Sequence, residues 1–373
     1  MRILILTTDY PGFLSQMYQG NSSLRTASHA DQVAARAATL FGVADFHSKN
    51  LVARGHEAVE LFANNEYLQR AWAREKGMTA PGRTRWEFHL RRGILPSFRR
   101  VRDERWFVDI LAAQIRRFQP DVLWNQAMWE IPPPFIRDVK KYCRRVIGQI
   151  ASPVLPAQDW RCYDLVLSSL PNLVAYFREQ GVKAVYQRLG FEASVADRIQ
   201  PGERDVGVSF VGSLTGIHQR RGDVLRWLAP RVPIEIWGEG AEGLGTEDPL
   251  LARHRGQAFG TAMYRILARS RLTLNVHLDI AREYANNMRL YEATGMGACL
   301  VTDWKENLAQ MFEPEKEVVS YRSVSECLEK IQHYLANPGE AAAIAEAGRK
   351  RTLAEHTYAH RAAELGEILD EMG

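Results

Sequence analysis

Short apolar runs alternate with longer amphipathic stretches along the whole chain. Runs that are apolar at almost every position are typical of strands buried on both faces of a parallel sheet. A repeating strand–helix order with such strands predicts a doubly wound α/β fold. The predicted strands cover residues 3–7, 58–62, 121–124, 145–149, 165–168, 206–211, 234–237, 272–276, 299–301 and 318–320.

The stretches between these strands have apolar residues at helical spacing. The predicted helices cover residues 31–54, 103–118, 134–142, 173–180, 219–228, 262–268, 288–295, 324–336 and 339–356. A polar loop is expected between the first strand and the first helix, from Tyr10 to about His29.

The strand–helix pattern fades between residues 189 and 204 and then resumes. We therefore expect two Rossmann-like domains, residues 1–190 and 205–356, with a linker at 191–204 and a final segment at 357–373. In open α/β sheets, ligands bind beyond the carboxyl ends of the strands. Functional residues are therefore expected in the loops that follow the strands, on either side of a cleft between the domains.

The composition is that of a globular protein, because 46% of the 373 residues are hydrophobic and 25% are charged. No apolar run reaches the roughly 18–20 residues that a bilayer-spanning helix needs. The four cysteines are far apart and form no Cys-x-x-Cys pair. This disfavours a zinc site or a disulfide framework and indicates a cytoplasmic protein.

Positive charge is concentrated in the first half of the chain, in a basic arm at about residues 66–105. Residues 70–105 contain eleven Lys and Arg against four Asp and Glu, whereas the net charge of the whole chain is only +4. Two interpretations remain open: a solvated helical arm, or a surface for an anionic acceptor or for membrane lipid head groups. Nucleic acid is not an expected partner, because no recognised nucleic-acid motif accompanies the charge.

The run from Asn286 to Gly297 carries the strongest chemical signal. It follows a strand and begins a helix, where unpaired backbone N–H groups and the helix dipole favour an anion. Arg289 adds a guanidinium that suits phosphate oxygens. Glu292 lies three positions further, on the same helix face, and its carboxylate suits a sugar diol. Phosphate beside a diol is what a nucleotide presents. Candidate donor-site residues in this run are Asn287, Met288, Arg289 and Glu292.

Other loops of the second half offer weaker signals. A glycine loop after the strand at 206–211 leads to Arg220 and Arg221, whose charges would neutralise phosphate. An ordinary strand-to-helix turn explains this loop equally well, and it is not a Walker A loop. Glu239 could bond a base, a ribose or a sugar, and a solvated acid is the alternative. The remaining candidates are Gly212, Ser213, Thr215, Phe259, Gly260 and Tyr264.

In the first half, two loops after strands point to the expected cleft and would hold an acceptor. Their candidate residues are Gly12, Phe13, Asn125 and Gln126. His47 lies within an amphipathic helix, where a partly buried structural histidine is the alternative to a functional one. No metal-ligand spacing is present, so no metal site is predicted.

With these residues assembled, the sequence resembles GT-B glycosyltransferases, most closely the group-1-like family of the spore-maturation CgeB type. The resemblance covers most of the second half and extends loosely into the first. It is carried by residues 256–260, 263–264, 274–277, 287–295, 300–303, 347–349, 356–358 and 361, with 168–171 and 189–192 in the first half.

The resemblance implies a nucleotide sugar, such as a UDP- or GDP-sugar, as co-substrate in the second domain. A glycan, lipid-linked or protein acceptor would bind the first domain, as in the synthesis of cell-surface polysaccharide or glycoconjugates. Glu292 would bond the ribose, while Arg289, Asn287 and residues 212–215 would hold the diphosphate without a metal or other cofactor. The final segment, 357–373, would cross back to the first domain.

One position departs from the family pattern. Related enzymes have a second glutamate eight residues before the ribose-binding one, and here Tyr284 stands there, next to Glu283. The donor-sugar contact therefore stays open, although the resemblance favours retention of configuration over inversion. An inverting enzyme would need a base, for which Asp9 and His47 are candidates. The alternatives are a nucleotide-sugar epimerase on the same fold and a non-catalytic protein that binds sugar nucleotides.

Overall fold

The computed structural model describes residues 1–79, 84–91, 95–102, 105–154, 158–199, 202–214 and 219–372, with only the backbone described at 84–91, 95–102, 105 and 219. The strands of the first half are β1 Arg2–Thr7, β2 Glu57–Phe62, β3 Thr84–Arg91, β4 Leu95–Arg102, β5 Val122–Asn125, β6 Arg145–Gln149, β7 Leu165–Ser168 and β8 Ala184–Tyr186. Its helices are α1 Pro11–Gly20, α2 His29–Ala38, α3 Phe46–Ala53, α4 Glu66–Glu75, α5 Arg105–Phe118, α6 Pro133–Val139, α7 Pro171–Glu179 and α8 Ala193–Arg198.

Six of these strands form one parallel sheet in the order β2-β1-β5-β6-β7-β8. The side chains of residues 3–6 of β1 are all buried, since helices cover both faces of this central strand. The doubly wound arrangement predicted for this half is confirmed.

The second half forms a separate five-stranded parallel sheet in the order β10-β9-β11-β12-β13. Its strands are β9 Val206–Val211, β10 Ile234–Trp237, β11 Ser270–Asn275, β12 Cys299–Asp303 and β13 Val319–Tyr321. Its helices are α9 Gln219–Leu228, α10 Thr261–Arg269, α11 Arg289–Gly295, α12 Val324–Ala336 and α13 Pro338–Glu355.

The last helix, α14 Tyr358–Glu371, packs on the first domain. Its buried Ala362, Leu365 and Leu369 share an apolar cluster with residues 3 and 5 of β1. The chain also pairs Phe191 with Thr357 in a parallel bridge, so the two connections between the domains lie side by side. Both connections thereby fix one sheet relative to the other.

Two predicted elements differ in the structure. The expected polar loop after β1 contains helix α1, which Pro11 begins at a position where its missing N–H costs nothing. The single helix expected at 31–54 is two helices, α2 and α3. The chain between them turns through positive φ angles at Leu40, Gly42 and Ala44, which a continuous helix excludes.

The basic arm begins as helix α4, but its middle part differs from the helical alternative considered above. Residues 84–91 and 95–102 are the antiparallel strands β3 and β4, in register from Thr84↔Arg102 to Arg91↔Leu95. The sequence contains the signal for this, because Trp86, Phe88 and Leu90 alternate with polar residues at the two-residue period of a strand. Among the described residues, no helix combines the length and apolarity needed to cross a membrane.

Candidate functional site

Three strands of the second sheet end side by side at the edge that faces the first domain. Their last residues are Val211 of β9, Asn275 of β11 and Asp303 of β12. The loop after β11 leads to the start of α11 at Arg289. Because parallel strands bring their carboxyl ends to one edge, this edge collects polar groups from segments far apart in sequence.

Arg289 and Glu292 form an ion pair on one face of α11. Nη1 of Arg289 lies 2.8 Å from Oε2 of Glu292, and both side chains are largely buried. Burial raises the pKa of the Glu292 carboxyl, against the effect of the Arg289 charge and of a hydrogen bond from Tyr264. Nε of Arg289 is buried without a hydrogen-bond partner among the described residues. A buried cationic donor that lacks a partner is ready to bind an anion.

A second guanidinium converges on the same place. Nη2 of Arg289 donates to the carbonyl of Val211 at 3.1 Å, and Nη1 of Arg221 donates to the carbonyl of Ser213 at 3.3 Å. Burial, followed by the like charge of Arg289, lowers the pKa of Arg221 to about 10. Nε of Arg221 also has no hydrogen-bond partner within the described ranges. Two neighbouring cations with free donors beside the 212–214 loop form a candidate diphosphate site.

Asn287 positions the start of α11. Its Oδ1 accepts from the backbone N–H of Leu290 at 3.3 Å, and its Nδ2 donates to Oδ1 of Asn275. Asn275 in turn donates to Thr302 at 2.9 Å. This network ties the helix to two strands, and Met288 provides the residue just before the first helical turn. Asn287 therefore acts on Arg289 through the backbone that carries it.

Glu239 approaches the first domain. A Cβ added to Gly12 in α1 would lie 1.8 Å from Oε1 of Glu239, so the carboxylate lies against the backbone of that helix. The loop that carries Glu239 is itself tightly packed. A Cβ at Gly238 would lie 1.8 Å from the carbonyl oxygen of Gly212, so only glycine lets the two loops approach this closely.

Phe259 and Gly260 also contact the first domain. The ring of Phe259 lies edge-on to Phe41, with 5.1 Å between the centroids, and Phe41 stacks on Phe13 at 4.1 Å. Gly260 has a φ of +51°, and an added Cβ would lie 2.1 Å from the carbonyl oxygen of Thr39. These residues close one side of the cleft, and the base-edge contact predicted for them stays a prediction.

Tyr264 lies behind Glu292 in α10 and is buried. The loop between β11 and α11 crosses towards the first domain, because Ala281 and Tyr284 pack with that domain's apolar core. Nζ of Lys305 holds the loop by donating to the carbonyl of Arg282. Tyr284, where the family pattern has a glutamate, therefore packs the two domains together.

Asp9, a candidate base, is buried at the end of β1 and is paired with Arg36. Oδ1 of Asp9 accepts from Nε of Arg36 at 3.2 Å and from its Nη2. The guanidinium of Arg36 lies over the ring of Phe62, 4.4 Å from its centroid, and donates to the carbonyl of Phe41 at 2.9 Å. The carboxylate is thus engaged within the first domain.

His47, the other candidate base, is packed between aromatic rings. Trp124 and Tyr358 lie edge-on to its imidazole, with centroids 4.5 Å and 4.8 Å away. Burial lowers the pKa of His47 to about 3, so the imidazole is neutral at physiological pH. A neutral imidazole can accept a proton, but burial makes the charged product unfavourable.

The acceptor candidates divide into two kinds. Asn125 is fully buried, donates to the hydroxyl of Tyr163 at 2.9 Å and accepts from the N–H of Ala127 at 2.9 Å. Gln126, the next residue, has a buried side-chain amide nitrogen with no hydrogen-bond partner in the described part of the chain. Gln126 is therefore the first-domain candidate that still has a donor to offer.

One polar cluster was not anticipated from the sequence. Nδ1 of His277 lies 2.7 Å from Oδ1 of Asp303, and the backbone N–H of His277 donates to the same oxygen at 2.9 Å. Lys305 lies 3.6 Å from Oδ2 of Asp303. The position of these residues in the sequence could have indicated the cluster, because His277 and Asp303 lie at the carboxyl ends of neighbouring strands.

Two donor candidates, Arg220 and Thr215, and the predicted absence of a metal site remain to be described. Arg220 is exposed at the start of α9 and lines a cavity of about 210 Å³ with Asp303 and Tyr321. Thr215 lies outside the described residues. Within the described ranges, no group of three His, Cys, Asp or Glu side chains is placed to hold a metal ion.

Residues 220–367 match the protein family described as glycosyl transferase-like. This part of the chain is therefore similar to glycosyltransferases. The match contains Arg221, Arg289, Glu292 and the carboxyl ends of β11 and β12, together with most of α14. It begins after the 212–214 loop.

Solved structures resemble this chain over almost its whole length. HepE from Anabaena, solved in complex with UDP-glucose, aligns with a TM-score of 0.59 at 12% identity, with 100% of both chains covered. Sucrose-phosphate synthase from Thermosynechococcus elongatus aligns with a TM-score of 0.59 at 12% identity, covering 99% of this chain and 98% of the other. AviGT4, a glycosyltransferase involved in avilamycin A biosynthesis, aligns with a TM-score of 0.56 at 15% identity, covering 98% and 96%.

These similarities confirm the predicted GT-B architecture of two facing Rossmann-like domains. At such low identity they show the fold and do not assign individual residues. No curated protein matches the chain.

Proposed function

We propose that this protein transfers a sugar from a nucleoside diphosphate sugar to a hydroxyl group of an acceptor. The observation that carries the proposal is the pair of guanidiniums, Arg289 and Arg221, beside the 212–214 loop, with Glu292 one helical turn from Arg289. The two cations match a diphosphate, and the carboxylate matches the ribose hydroxyls. HepE, which shares the fold, was solved with UDP-glucose, which supports a UDP-sugar as the donor.

The chemistry follows from the charge that develops during transfer. As the glycosidic bond breaks, negative charge grows on the departing diphosphate and positive charge on the sugar ring. Fixed cations aimed at the leaving group stabilise the transition state without reorganisation. Arg289 and Arg221 perform this role in the proposal, so no metal ion is required.

We propose that the configuration at the sugar carbon is retained. An inverting reaction needs a base that removes the acceptor proton, and both candidate bases are poorly suited to this. Asp9 is held by Arg36, and His47 lies between Trp124 and Tyr358 with a lowered pKa. In a retaining transfer, the leaving phosphate oxygen can take the acceptor proton itself.

The acceptor side is proposed from the position of Gln126 and from the charge of the basic arm. Residues 1–190 form the acceptor domain, 205–356 the donor domain and 357–373 the return to the first domain. The excess of arginine at 70–105 suits an anionic glycan or lipid-linked acceptor, and peripheral contact with a membrane surface. We also propose that the protein belongs to the CgeB-type subfamily.

The proposal is tested by incubating the protein with UDP-, GDP-, ADP- and dTDP-sugars and a panel of glycan acceptors. Release of nucleoside diphosphate and of glycosylated product is measured. We expect turnover with one donor class, unaffected by EDTA, and a loss of about 10²–10³-fold on Arg289→Ala. Arg265→Ala, which removes an exposed arginine of the same domain, is the matched control.

Other outcomes would replace the proposal. Conversion of the donor without an acceptor would indicate an epimerase. Nucleotide binding without turnover across the acceptor panel would indicate a binding protein. Equal turnover by Arg289→Ala and the parent would show that the reaction does not use the proposed site.

A further inference from the structure

The second domain has a cavity of about 610 Å³ at the opposite edge of its sheet from Arg289. Arg271 at the start of β11 and Gly297 just before β12 lie at this edge, where the strands begin. The remaining walls come from α8 and the chain after it, from the ends of α10, α11 and α12, and from α13. The cavity is therefore separate from the candidate donor site.

Two guanidiniums converge in this cavity. A Cβ added to Gly297 would lie 2.9 Å from Nη2 of Arg204 and 3.4 Å from Cδ of Arg349. Burial, followed by the like charge of Arg349, lowers the pKa of Arg204. Bringing two such charges together is unfavourable unless an anion lies between them.

The charges of Arg204 and Arg349 are not neutralised by the protein. Within the described residues, neither has a carboxylate within 4.0 Å. In the described part of the chain, Arg204 donates to the backbone carbonyls of Ser270 at 2.6 Å and Met296 at 3.4 Å. Glu203 and Glu346 also line the cavity, outside ion-pair distance of these arginines.

The rest of the lining is mainly apolar. Ala268, Met296, Ala341 and Ala345 are buried and contribute small or flexible side chains to the wall. Such a wall offers no hydrogen bonds to a sugar or a base, but it can bury methylene groups. The cavity therefore combines an anion site with an apolar chamber.

We propose that this cavity binds an anionic amphiphile, a molecule with a single phosphate or carboxylate head and an unbranched apolar chain. The head lies between Arg204 and Arg349, and the chain lies against the alanines of α13 and Met296. Phosphate and carboxylate are both recognised by paired guanidiniums, so the two heads are distinguished by experiment.

The test is calorimetric titration of the whole protein with decyl phosphate and decanoate, each below its aggregation concentration. Inorganic phosphate tests the head alone, and decyl maltoside tests the chain with a neutral head. We expect stoichiometric binding of at least one anionic amphiphile, and binding at least ten-fold weaker for both single-feature probes. The preferred anionic probe identifies the head group.

Variants place the binding in the cavity. Arg349→Ala should weaken binding about ten-fold or more, because it removes a charged donor. Lys350→Ala, the adjacent exposed cation on the same helix, should leave it unchanged. Ala342→Trp, at the exposed rim, should weaken chain binding without disturbing the core.

Four results would overturn the proposal. These are no binding of either amphiphile, equal binding of decyl maltoside or inorganic phosphate, unchanged binding by Arg349→Ala, and displacement of the amphiphile by UDP. Displacement by UDP would show that the amphiphile binds at the donor site. Because the readout is binding, failure of the proposed transferase activity does not affect the outcome.

Discussion

The two sides of the cleft use their polar residues differently. On the second-domain side, Arg289 and Arg221 lie close together and each keeps a donor nitrogen without a partner in the described part of the protein. On the first-domain side, Asp9 is paired with Arg36, and Asn125 has its hydrogen bonds satisfied by Tyr163 and Ala127, while the neighbouring Gln126 keeps an unpaired donor within the described residues. Both sets lie in the segments that follow strands, and the sequence did not show which of their polar groups were already paired.

The difference shows that some polar residues after strands stabilise the fold, whereas others are available to bind a ligand. A polar group that the fold already satisfies contributes to stability, and a ligand must compete with its existing partners. A buried guanidinium that keeps a donor nitrogen without a hydrogen bond raises the energy of the empty protein, and an anion that accepts from this nitrogen stabilises it. We therefore expect substitutions of the paired residues on the first side, such as Asp9 and Arg36, to change stability, and substitutions of Arg289 and Arg221 to change ligand binding.

The largest expected effect is on the stability of the first domain. Arg36→Leu leaves the buried Asp9 carboxylate unpaired, which should lower the free energy of unfolding by about 3–5 kcal/mol. Urea unfolding followed by circular dichroism measures the change. Arg265→Leu, which removes an exposed arginine, should cost less than about 0.5 kcal/mol. A change as small for Arg36→Leu as for the control would contradict the structural role of the pair.

The next effect is on nucleotide affinity. Glu292→Gln keeps the size of the side chain but removes the charged acceptor proposed for the ribose. Affinity for the donor nucleotide should fall by about 1.5–3 kcal/mol, or roughly ten- to a hundred-fold. Calorimetric titration measures this, with the exposed Glu329→Gln as the matched control. A deoxyribose nucleotide bound equally well by parent and variant would support the ribose contact, whereas the same loss with the deoxyribose nucleotide would exclude it.

A pH effect is expected from Glu60, a buried acid of the first domain. Burial raises its pKa to about 8, and the N–H of Ser48 donates to its Oε1 at 3.0 Å. The folded protein therefore holds this proton more tightly than the unfolded chain does. Stability from this group is complete below about pH 4.5 and is lost as the pH rises towards 8.

Glu60→Gln should remove this part of the pH dependence. We expect the difference in unfolding free energy between pH 5 and pH 8 to become smaller by on the order of 2 kcal/mol. Urea unfolding at both pH values measures it. An unchanged slope would show that Glu60 ionises normally. Nucleotide affinity of the variant should stay that of the parent.

The smallest effect is expected where the two sides touch. Gly260→Ala places a methyl group against the carbonyl of Thr39 at a positive φ, so the hydrogen bond from the N–H of Thr261 to that carbonyl should weaken. We expect a loss of more than about 1 kcal/mol and a more open pair of domains. Small-angle scattering measures the opening through the radius of gyration. A variant with unchanged stability and radius would show that this contact does not hold the cleft.

The sequence predicted the sheets well, because both are parallel and buried, and such strands are continuous apolar runs. Arg145–Gln149, Val206–Val211 and Ile234–Trp237 have the predicted bounds. The hairpin at 84–102 was missed because its charge was given more weight than its alternating aromatics. The break between α2 and α3 was missed because only one residue of the turn is glycine, while Leu40 and Ala44 adopt positive φ through tertiary packing.

The candidate site was predictable in part for a physical reason. Arg289 and Glu292 are three residues apart on one helix, so their neighbourhood is set by helical spacing. Pairings such as Asp9 with Arg36, or His277 with Asp303, join residues 27 and 26 positions apart across separate elements. Spacing within one element carries no information about such contacts. The pairing that decides whether a polar group is free therefore appeared only in the folded chain.

The central claim is that the second domain holds the nucleotide through Arg289. The most direct measurement is calorimetric titration of UDP and GDP into the parent, Arg289→Ala and Asp9→Asn proteins, each shown to be folded by circular dichroism. We expect the parent and Asp9→Asn to bind one of the two nucleotides with similar affinity, and Arg289→Ala to bind it at least ten-fold more weakly. Equal affinity of Arg289→Ala and the parent, or a loss confined to Asp9→Asn, would contradict the account.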